Sequence, residues 1–484
     1  MVLILSSLYF ISLLYIFLFS LGQLHLTWVY GKREKSSSSP DQNFLPRVTV
    51  QLPVYNEQYV VERLLDSIAA LDYPREKLEI QVLDDSTDET TEMLIKKIEA
   101  LRPLQLDIQL IHRENRNGFK AGALDVGGRV AKGEFIAIFD ADFLPSSDFL
   151  KKTIPHFSDP QVGVVQTRWG HLNENYSVLT QLQAFGLNAH FTVEQTGRQL
   201  SSSFINFNGT GGVWRKRTIE DAGGWSADTL TEDLDLSYRA QLKGWKFQYL
   251  EDVVVAGELP VLMSAIKSQQ YRWNKGAAET ARKHIRTILR TSLPNKNKLH
   301  ALFHLFNSSV FVCLMLAAMA SVPMLYVRQS NPIVQNIFSL GLIFIGGFFS
   351  ITIFYWVASK RLHPERSWKY FLSLYPKFLI VFMGLSLHNS LAVIEGWMGR
   401  KTPFIRTPKF NIINTMDSWR KNIYVKPSVS ILTVLEGLLC LYFCFGLAAG
   451  WMLKDMTLLL FHTMLALGFG SVFIFSVKPF FHGR

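Results

Sequence analysis

Residues 135–142 read Phe-Ile-Ala-Ile-Phe-Asp-Ala-Asp, and this stretch decides the fold class. A short apolar run bounded by turn residues is typical of a strand in a parallel sheet that helices cover on both faces. Two carboxylates, Asp140 and Asp142, come where that strand ends. Ligands of such sheets bind at the carboxyl ends of the strands, so the stretch also indicates where a functional site lies.

Similar segments on either side extend the pattern from residue 47 to about residue 257. Short β-rich runs alternate there with helical stretches, which predicts a mostly parallel sheet with helices on its faces. Asp84 and Asp85 fall at the end of the second strand, at the same edge as Asp140. The predicted strands are 48–54, 80–83, 108–111, 135–139 and 162–166, and the intervening helices are 57–71 and 89–101.

The composition is too apolar for two ordinary soluble domains and too charged for an all-membrane bundle, so it favours a soluble domain flanked by membrane spans. Of the 484 residues 48% are hydrophobic, and the formal net charge is +11. Basic residues are expected in the cytoplasmic segments of membrane proteins, and no nucleic-acid-binding motif is evident, so we expect a bilayer rather than nucleic acid as the partner. Apolar segments of about the length that a bilayer crossing needs, roughly 20 residues, lie at 2–25, 300–327, 333–358, 371–395, 428–452 and 456–477.

The basic residues between these segments predict the topology. Lys32, Arg33 and Lys35 follow the first segment, which is therefore expected to be a retained anchor at 1–30 with a linker at 31–46 and the α/β domain on the cytoplasmic side. If all the later segments crossed, the basic loop 396–427 would lie outside. We therefore favour five full spans over six, with the more polar segment 371–395 lying at the interface or re-entering.

The spacing of Asp140 and Asp142 favours a metal site. Positions i and i+2 of a strand point to the same side, and two carboxylates held together repel unless a hard divalent cation bridges them to a diphosphate. Taken alone, an Asp-x-Asp sequence is more often a solvated turn. Its position at a strand end favours a site for a nucleotide sugar and a metal ion.

Two further motifs lie on predicted helices. Thr231 can cap a helix that runs to about Lys243, with Gly244 at its stop. The helix dipole would then keep Glu232 and Asp233 ionised, as a general base requires. Acidic residues in a first turn are also ordinary, so this motif leaves its function open.

The second helical motif is the sequence 269–273 within a predicted amphipathic interfacial segment at 261–299. Gln269, Arg272 and Trp273 share one helix face. Arg272 could bind a diphosphate, and Trp273 offers a flat surface for a sugar ring. Alternatively, both side chains anchor the helix in lipid headgroups.

Two more elements carry possible ligand contacts. The glycine-rich turn 208–212, with Asn208 and Gly209, permits close approach of a ligand to the backbone. Lys120 could bring positive charge to a phosphate. Each could equally be structural, as a tight turn or as a solvated lysine.

The ordered set Asp84-Asp85, Asp140-Ala141-Asp142, Thr231-Glu232-Asp233 and Gln269-x-x-Arg272-Trp273 resembles the motifs of membrane-embedded processive glycosyltransferases of family 2, the cellulose synthase and hyaluronan synthase group. The stretches 190–195, 207–215, 222–225, 242–247 and 258–260 are similar to the cellulose-synthase-like mannan and glucomannan synthases. Residues 404–409 look like the gating loop Phe-x-Val-Thr-x-Lys of cellulose synthase, with Arg406 in place of Val. The resemblance is strong over about residues 48–282.

The resemblance implies an α/β domain of GT-A (Rossmann-like) fold at 47–260 and inverting transfer, beside a helical membrane region. That region would comprise two transmembrane helices at 300–358, a cytoplasmic or interfacial segment at 359–427, and two transmembrane helices and a tail at 428–484. The implied roles are donor binding by Glu57, Asp84, Asp85, Lys120 and Asp140; Mg²⁺ or Mn²⁺ binding by Asp142 with Asp140; catalysis by Asp233 as base with Glu232 and Arg272; and acceptor binding by Trp273, Gln269, Asn208 and Gly209.

The implied reaction is polymerisation of hexose from GDP-mannose or UDP-glucose into a β-1,4-linked mannan- or glucan-type polysaccharide that is passed across a plasma or inner membrane. Its partners would be the nucleotide sugar, the growing chain and the bilayer. Two alternatives stay open, namely transfer of a single sugar to a membrane lipid such as ceramide or polyprenyl phosphate, and an inactive transport or scaffold subunit. The donor, linkage and primer are left open too.

Overall fold

The structure is a computed structural model that describes residues 2–33, 41–331, 334–335, 345–414, 416–419, 423–424 and 429–481. Its described strands form one eight-stranded sheet in the order β3-β2-β1-β4-β7-β6-β8-β5. The strands are β1 Val48–Val54, β2 Leu78–Asp84, β3 Asp107–His112, β4 Phe135–Ile138, β5 Phe143–Leu144, β6 Val162–His171, β7 Gly212–Arg215 and β8 Lys246–Gly257.

The helices surround this sheet and continue beyond it. In chain order those of the described residues are α1 Val2–Gly31, α2 Val61–Ala69, α3 Thr90–Leu101, α4 Phe119–Val130, α5 Phe149–Thr153, α6 Val178–Ala189, α7 Gln195–Leu200, α8 Lys216–Asp221, α9 Glu232–Leu242, α10 Met263–Arg290, α11 Asn295–Leu305, α12 Ser309–Ser330, α13 Ile345–Leu362, α14 Ser367–Gly384, α15 Ser386–Met398, α16 Ile431–Met452 and α17 Leu459–Phe481. A π-helical turn, His190–Glu194, joins α6 to α7.

All five predicted strands are confirmed, but the sheet is mixed. β1 pairs in parallel with β2 and β4, and β6 with β8. The short strand β7, which the sequence did not reveal, runs antiparallel between β4 and β6. Because Gly212 at the start of β7 pairs with Ile138 at the end of β4, the turn that precedes β7 reaches the same edge as the carboxyl ends of β1, β2 and β4.

The core explains the unbroken apolar run of β4. Phe135, Ala137 and Phe139 pack in one cluster with residues of α2 and α3. Ile136 and Ile138 pack in a second cluster with residues of α4, α8 and α9. The strand therefore buries both of its faces, as the sequence predicted. The predicted helix at 57–71 is shorter than expected because residues 57–60 form a turn, in which the carbonyl of Glu57 accepts from Val60 and Val61.

Several of the helices are long and apolar enough to cross a membrane. Within the described residues these are α1, α12, α16 and residues Leu459–Pro479 of α17, and α14 and α15 together add a fifth candidate that is bent by 52°. The bend lies in the segment predicted not to cross. The predicted span at 300–327 begins only at Ser309, because α11 ends at Leu305. Of the span predicted at 333–358, residues 333 and 336–344 lie outside the described residues.

Candidate active site

One cleft at the carboxyl ends of the central strands brings nearly all predicted site residues together. The predicted residues that line it are Glu57, Asp85, Lys120, Asp140, Asp142, Asn208, Gly209, Glu232, Asp233, Gln269, Arg272 and Trp273. The segment 404–409 closes the cleft with Phe404, Arg406, Thr407 and Lys409.

Asp84 is the exception, because it is fully buried beneath the cleft. Its carboxylate accepts hydrogen bonds from the Thr91 hydroxyl at 2.6 Å and the Ser86 amide at 2.9 Å, and it lies 2.8 Å from Nδ1 of His112. Burial alone would raise the pKa of Asp84, but these hydrogen bonds hold it below its ordinary value. Asp84 thus fixes the ends of β2 and β3, and Asp85 is the carboxylate that faces the cleft.

Asp85 lies in a corner of the cleft with Arg113, Arg116 and Tyr55, which the sequence analysis did not identify. Arg113 donates to both of its oxygens, at 2.6 and 2.5 Å. Arg116 lies 3.4 Å from the centre of the Tyr55 ring. Both arginines follow the end of β3, so the strand-end rule that drew attention to Asp140 also applied to them. A stacked guanidinium and ring beside a carboxylate suit a nucleoside.

Lys120, Asp140 and Asp233 meet around Gly209. The Lys120 ammonium lies 2.5 Å from Oδ1 of Asp140 and donates to the Gly209 carbonyl at 2.9 Å. Gly209 has φ +81°, and a Cβ there would lie 3.0 Å from Oδ2 of Asp233. A side chain at this position would therefore need a strained backbone and would crowd the proposed base.

The Asp-x-Asp pair lies in a turn, not on a strand as expected. β4 ends at Ile138, and the amide of Phe143 donates to the Asp140 carbonyl at 3.0 Å. Strand alternation is therefore not the reason why both carboxylates reach the cleft. The turn directs Asp140 towards Lys120, whereas Asp142 points at the segment 404–409.

Three side chains of the segment 404–409 form hydrogen bonds with residues of the cleft. Arg406 donates to both oxygens of Glu57 at 2.9 Å. Thr407 accepts from Nη2 of Arg272 at 2.7 Å. Lys409 donates to Oδ2 of Asp142 at 2.6 Å. Burial raises the pKa of Glu57 to about 7, although the Arg406 guanidinium opposes this.

The donor set fits a hard divalent cation. Each carboxylate of the pair already binds a positive group. Asp142 pairs with the Lys409 ammonium, and Asp140 pairs with the Lys120 ammonium. In the part of the chain that the structure describes, no group of three or more His, Cys, Asp or Glu side chains is arranged for a metal. Mg²⁺ and Mn²⁺ need only one or two protein carboxylates when diphosphate oxygens and water complete the shell.

The helix α9 has the predicted bounds but not the predicted cap. The Thr231 hydroxyl lies 3.4 Å from the Thr280 hydroxyl and does not bond to the helix amides. Burial outweighs the helix terminus that was expected to keep Asp233 ionised. Burial, and then the neighbouring Glu232, raise the pKa of Asp233 to about 7, although Lys120 lowers it. Such a value suits a base that works near neutral pH.

Helix α10 reaches the cleft because Gly276 allows a close approach to α9. A Cβ on Gly276 would lie 2.4 Å from Cγ2 of Thr231. One turn earlier, Arg272 keeps a buried Nε that has no partner among the described residues. The Trp273 ring lies 6.4 Å from that of Trp169, which also lines the cleft. Gln269, Arg272 and Trp273 therefore line the cleft, which favours ligand binding over lipid anchoring.

Three comparisons with known proteins agree with this geometry. Residues 46–276 match the family model described as "Glycosyltransferase like family 2". The chain is 40% identical over 296 residues to glucomannan 4-beta-mannosyltransferase 1 of Oryza sativa subsp. japonica, covering 57% of this chain and 56% of that protein. It is 43% identical over 251 residues to glucomannan 4-beta-mannosyltransferase 7 of Arabidopsis thaliana, covering 51% of this chain and 45% of that protein. The chain thus spans about half the length of these curated relatives.

Among solved structures, the mannosyltransferase PcManGT from Pyrobaculum calidifontis, in complex with GDP-Man and Mn²⁺, superposes with a TM-score of 0.59 at 22% identity. The match covers 82% of this chain and 100% of that one. At this identity the likeness establishes the fold, and the α/β domain has the GT-A fold.

Proposed function

We propose, on the premise that residues 46–276 form a family 2 glycosyltransferase domain, that this protein is a membrane-bound processive β-glycosyltransferase. It would polymerise hexose from GDP-mannose or UDP-glucose into a β-1,4-linked mannan- or glucan-type polysaccharide and pass the product across the bilayer. The observation that carries the proposal is the meeting of Asp142, Asp233 and Arg272 in one cleft. The likeness to glucomannan mannosyltransferases supports a mannosyl donor.

Asp233 acts as the general base in this proposal. Its ionised carboxylate accepts the proton of an acceptor hydroxyl while that oxygen forms a bond to the anomeric carbon of the donor. The bond from that carbon to the diphosphate oxygen breaks on the opposite face, which inverts the configuration. Burial, and then the neighbouring Glu232, raise the pKa of Asp233 and keep this carboxylate poised near neutrality.

The leaving diphosphate is bound by positive side chains. Lys120 and Arg272 line the same cleft as Asp140 and Asp142. A bound Mg²⁺ or Mn²⁺, with Asp142 and Asp140 as its protein ligands, would supply further positive charge to the leaving group. The corner of Asp85, Arg116 and Tyr55 would hold the nucleoside, and Trp273 with Gln269, Asn208 and Gly209 would hold the acceptor sugar.

The proposal includes five crossings, by α1, α12, α13, α16 and α17, of which all but α13 are among the described helices that are long and apolar enough to span a membrane. It places the α/β domain in the cytoplasm and the protein in a plasma or inner membrane. Arg361, at the end of α13, pairs with Glu251 and Asp252 of the domain, and Arg406 beyond α15 pairs with Glu57. Both ends of the bent pair α14–α15 thus meet the same domain. This favours a pair that re-enters the membrane over one that crosses it.

The proposal is tested with purified full-length protein reconstituted in lipid and supplied with labelled GDP-mannose or UDP-glucose and Mg²⁺ or Mn²⁺. We expect a polymer that is cut by a β-1,4-specific hydrolase. A single sugar attached to lipid would identify the product of a lipid glycosyltransferase instead. Absence of metal-dependent donor turnover with every donor would make the chain a scaffold subunit.

A further inference from the structure

The sequence 190–195, His-Phe-Thr-Val-Glu-Gln, has no role in the mechanism above, although it is folded in an unusual way beside the acceptor site. Its first five residues form the π-helical turn between α6 and α7. Turns of this kind are rare and are found frequently at functional sites. The turn brings His190 and Gln195 to the two ends of the Asn208 side-chain amide.

The hydrogen bonds around Gln195 fix the orientation of that amide. The Gln195 Nε2 group faces the Asn206 carbonyl at 3.2 Å and Oδ1 of Asn208 at 2.7 Å. A backbone carbonyl can only accept, so the amide nitrogen of Gln195 must point towards it. Asn208 must then present its oxygen to Gln195 and its amide nitrogen to Nε2 of His190, which lies 3.3 Å away.

The protonation of His190 follows from the same chain of contacts. Because the Asn208 amide nitrogen is a donor, Nε2 of His190 must accept, and its proton therefore lies on Nδ1. Nδ1 lies 2.9 Å from Oε2 of Glu194. Arg198 donates to the other oxygen of Glu194 at 3.1 and 2.7 Å, which keeps this carboxylate ionised as the acceptor. With these assignments, each of the contacts above pairs one donor with one acceptor.

We propose that His190 and Gln195 are positioning residues that hold the Asn208 amide so that its remaining N–H faces a hydroxyl of the acceptor sugar. Asn208 lines the cleft directly before Gly209, where a Cβ would lie 3.0 Å from Oδ2 of Asp233. A hydroxyl held by Asn208 would stand beside the base that takes a proton from the acceptor. This inference rests on the proposed function, because it assigns the contact to the acceptor of that reaction.

The test is a double-mutant cycle in the reconstituted full-length protein with a short β-linked hexose oligosaccharide as acceptor. We expect His190→Leu to lower kcat/KM for the acceptor about tenfold, the effect of about one misplaced hydrogen bond, and to leave the donor Kd unchanged. His190→Gln, whose side-chain oxygen can take the place of Nε2, should restore most of the loss. In an Asn208→Ala background the effect of His190→Leu should shrink to about twofold or less, because the amide is gone.

Two further variants serve as controls for this double-mutant cycle. His156→Leu changes a half-buried histidine in the turn Ile154–Ser158, away from the cleft, and should leave the acceptor kcat/KM unchanged. If His190→Leu does not fold, Gln195→Met tests the amide from its other end and should show the same coupling to Asn208. Equal losses in both backgrounds, a weakened donor Kd or no rescue by glutamine would overturn the inference. A wild-type chain that transfers sugar to no acceptor would instead refute the proposed function.

Discussion

Ionisation of the Asp233 carboxylate destabilises the folded protein, although the proposed catalysis requires it. Its pKa in the folded protein is about 7, above the ordinary 3.8, chiefly because of burial. Ionisation is therefore harder in the folded than in the unfolded chain, so the free energy of unfolding falls as pH rises from about 4 to about 7. In the proposed mechanism Asp233 must nevertheless be ionised to accept a proton, so the transfer rate should decline as pH falls below about 7.

We therefore expect Asp233→Asn to abolish transfer and to raise the melting temperature at pH 8, with a smaller rise at pH 5. Donor binding should persist. Thermal unfolding at both pH values and a transfer assay check this. Asp221→Asn is the control, because a hydrogen bond from Trp245 lowers the pKa of that exposed carboxylate, and its variant should gain no stability at pH 8. Turnover by pure Asp233→Asn protein would rule out Asp233 as the general base.

Arg406 is the residue at which the segment 404–409 departs from the cellulose synthase pattern. In the folded chain its guanidinium binds both oxygens of Glu57, and it lies 4.6 Å from the centre of the Tyr424 ring. We expect Arg406→Val to loosen residues 404–410 and to raise their amide hydrogen exchange several-fold. Glu57→Gln, which keeps one acceptor oxygen, should have an intermediate effect. Unchanged exchange in Arg406→Val would show that Lys409 and Thr407 hold the segment without the pair.

At the scale of elements, the contact between α9 and α10 sets the distance from Asp233, the proposed base, to Arg272, which is proposed to bind the diphosphate. Any side chain at Gly276 must push α10 away from Thr231, because its Cβ would lie 2.4 Å from the threonine methyl. Arg272 lies one turn away on the same helix. We expect Gly276→Ala to lower kcat on the order of tenfold or more, as small misplacements of a reacting group do, while the protein still folds.

The matched control for Gly276→Ala is Gly128→Ala in α4, where a Cβ would have no neighbour within 4 Å. That variant should keep full activity and gain up to about 1 kcal/mol in the free energy of unfolding, because alanine favours a helix over glycine. Kinetics and thermal unfolding of both variants make the comparison. Equal activity of the two variants would contradict the proposed role of the α9–α10 contact.

The elements that the sequence predicted well are those whose signals are local. β4 was recognisable because both of its faces are buried, and α9 because Gly244, with φ +92°, ends it. β7 was missed because it has only four residues, and the Thr231 cap was wrong because that hydroxyl is drawn to α10.

Contacts between distant parts of the chain leave no periodic pattern in the sequence. The pair of Arg406 and Glu57 joins residues that are 349 positions apart. The π-helical turn 190–194 likewise has no periodic sequence pattern that would predict it. The residues of the candidate site were therefore predictable as a set. The contacts of the segment 404–409 with the cleft, and those of His190 and Gln195 with the Asn208 amide, were not.

At the scale of the whole molecule, two sets of ion pairs mark the two ends of the helical region. Arg361 and Arg406 bind the catalytic domain. Arg328, at the end of α12, pairs instead with Asp455 between α16 and α17. If α12, α13, α16 and α17 each cross once, the first set lies on the side of the α/β domain and the second set on the other side. Crossing by the pair α14–α15 would separate Arg406 from its partner Glu57.

This topology predicts which sides of the membrane three engineered cysteines reach. In a chain whose Cys313, Cys440 and Cys444 are replaced by alanine, Met456→Cys should react with a membrane-impermeant maleimide applied from outside intact cells. Glu365→Cys and Ile413→Cys, at exposed positions on either side of α14–α15, should react only after the membrane is opened. The six-span alternative places Glu365 and Ile413 on opposite sides. Labelling of Ile413→Cys in intact cells, with Glu365→Cys still protected, would therefore establish that the bent pair crosses.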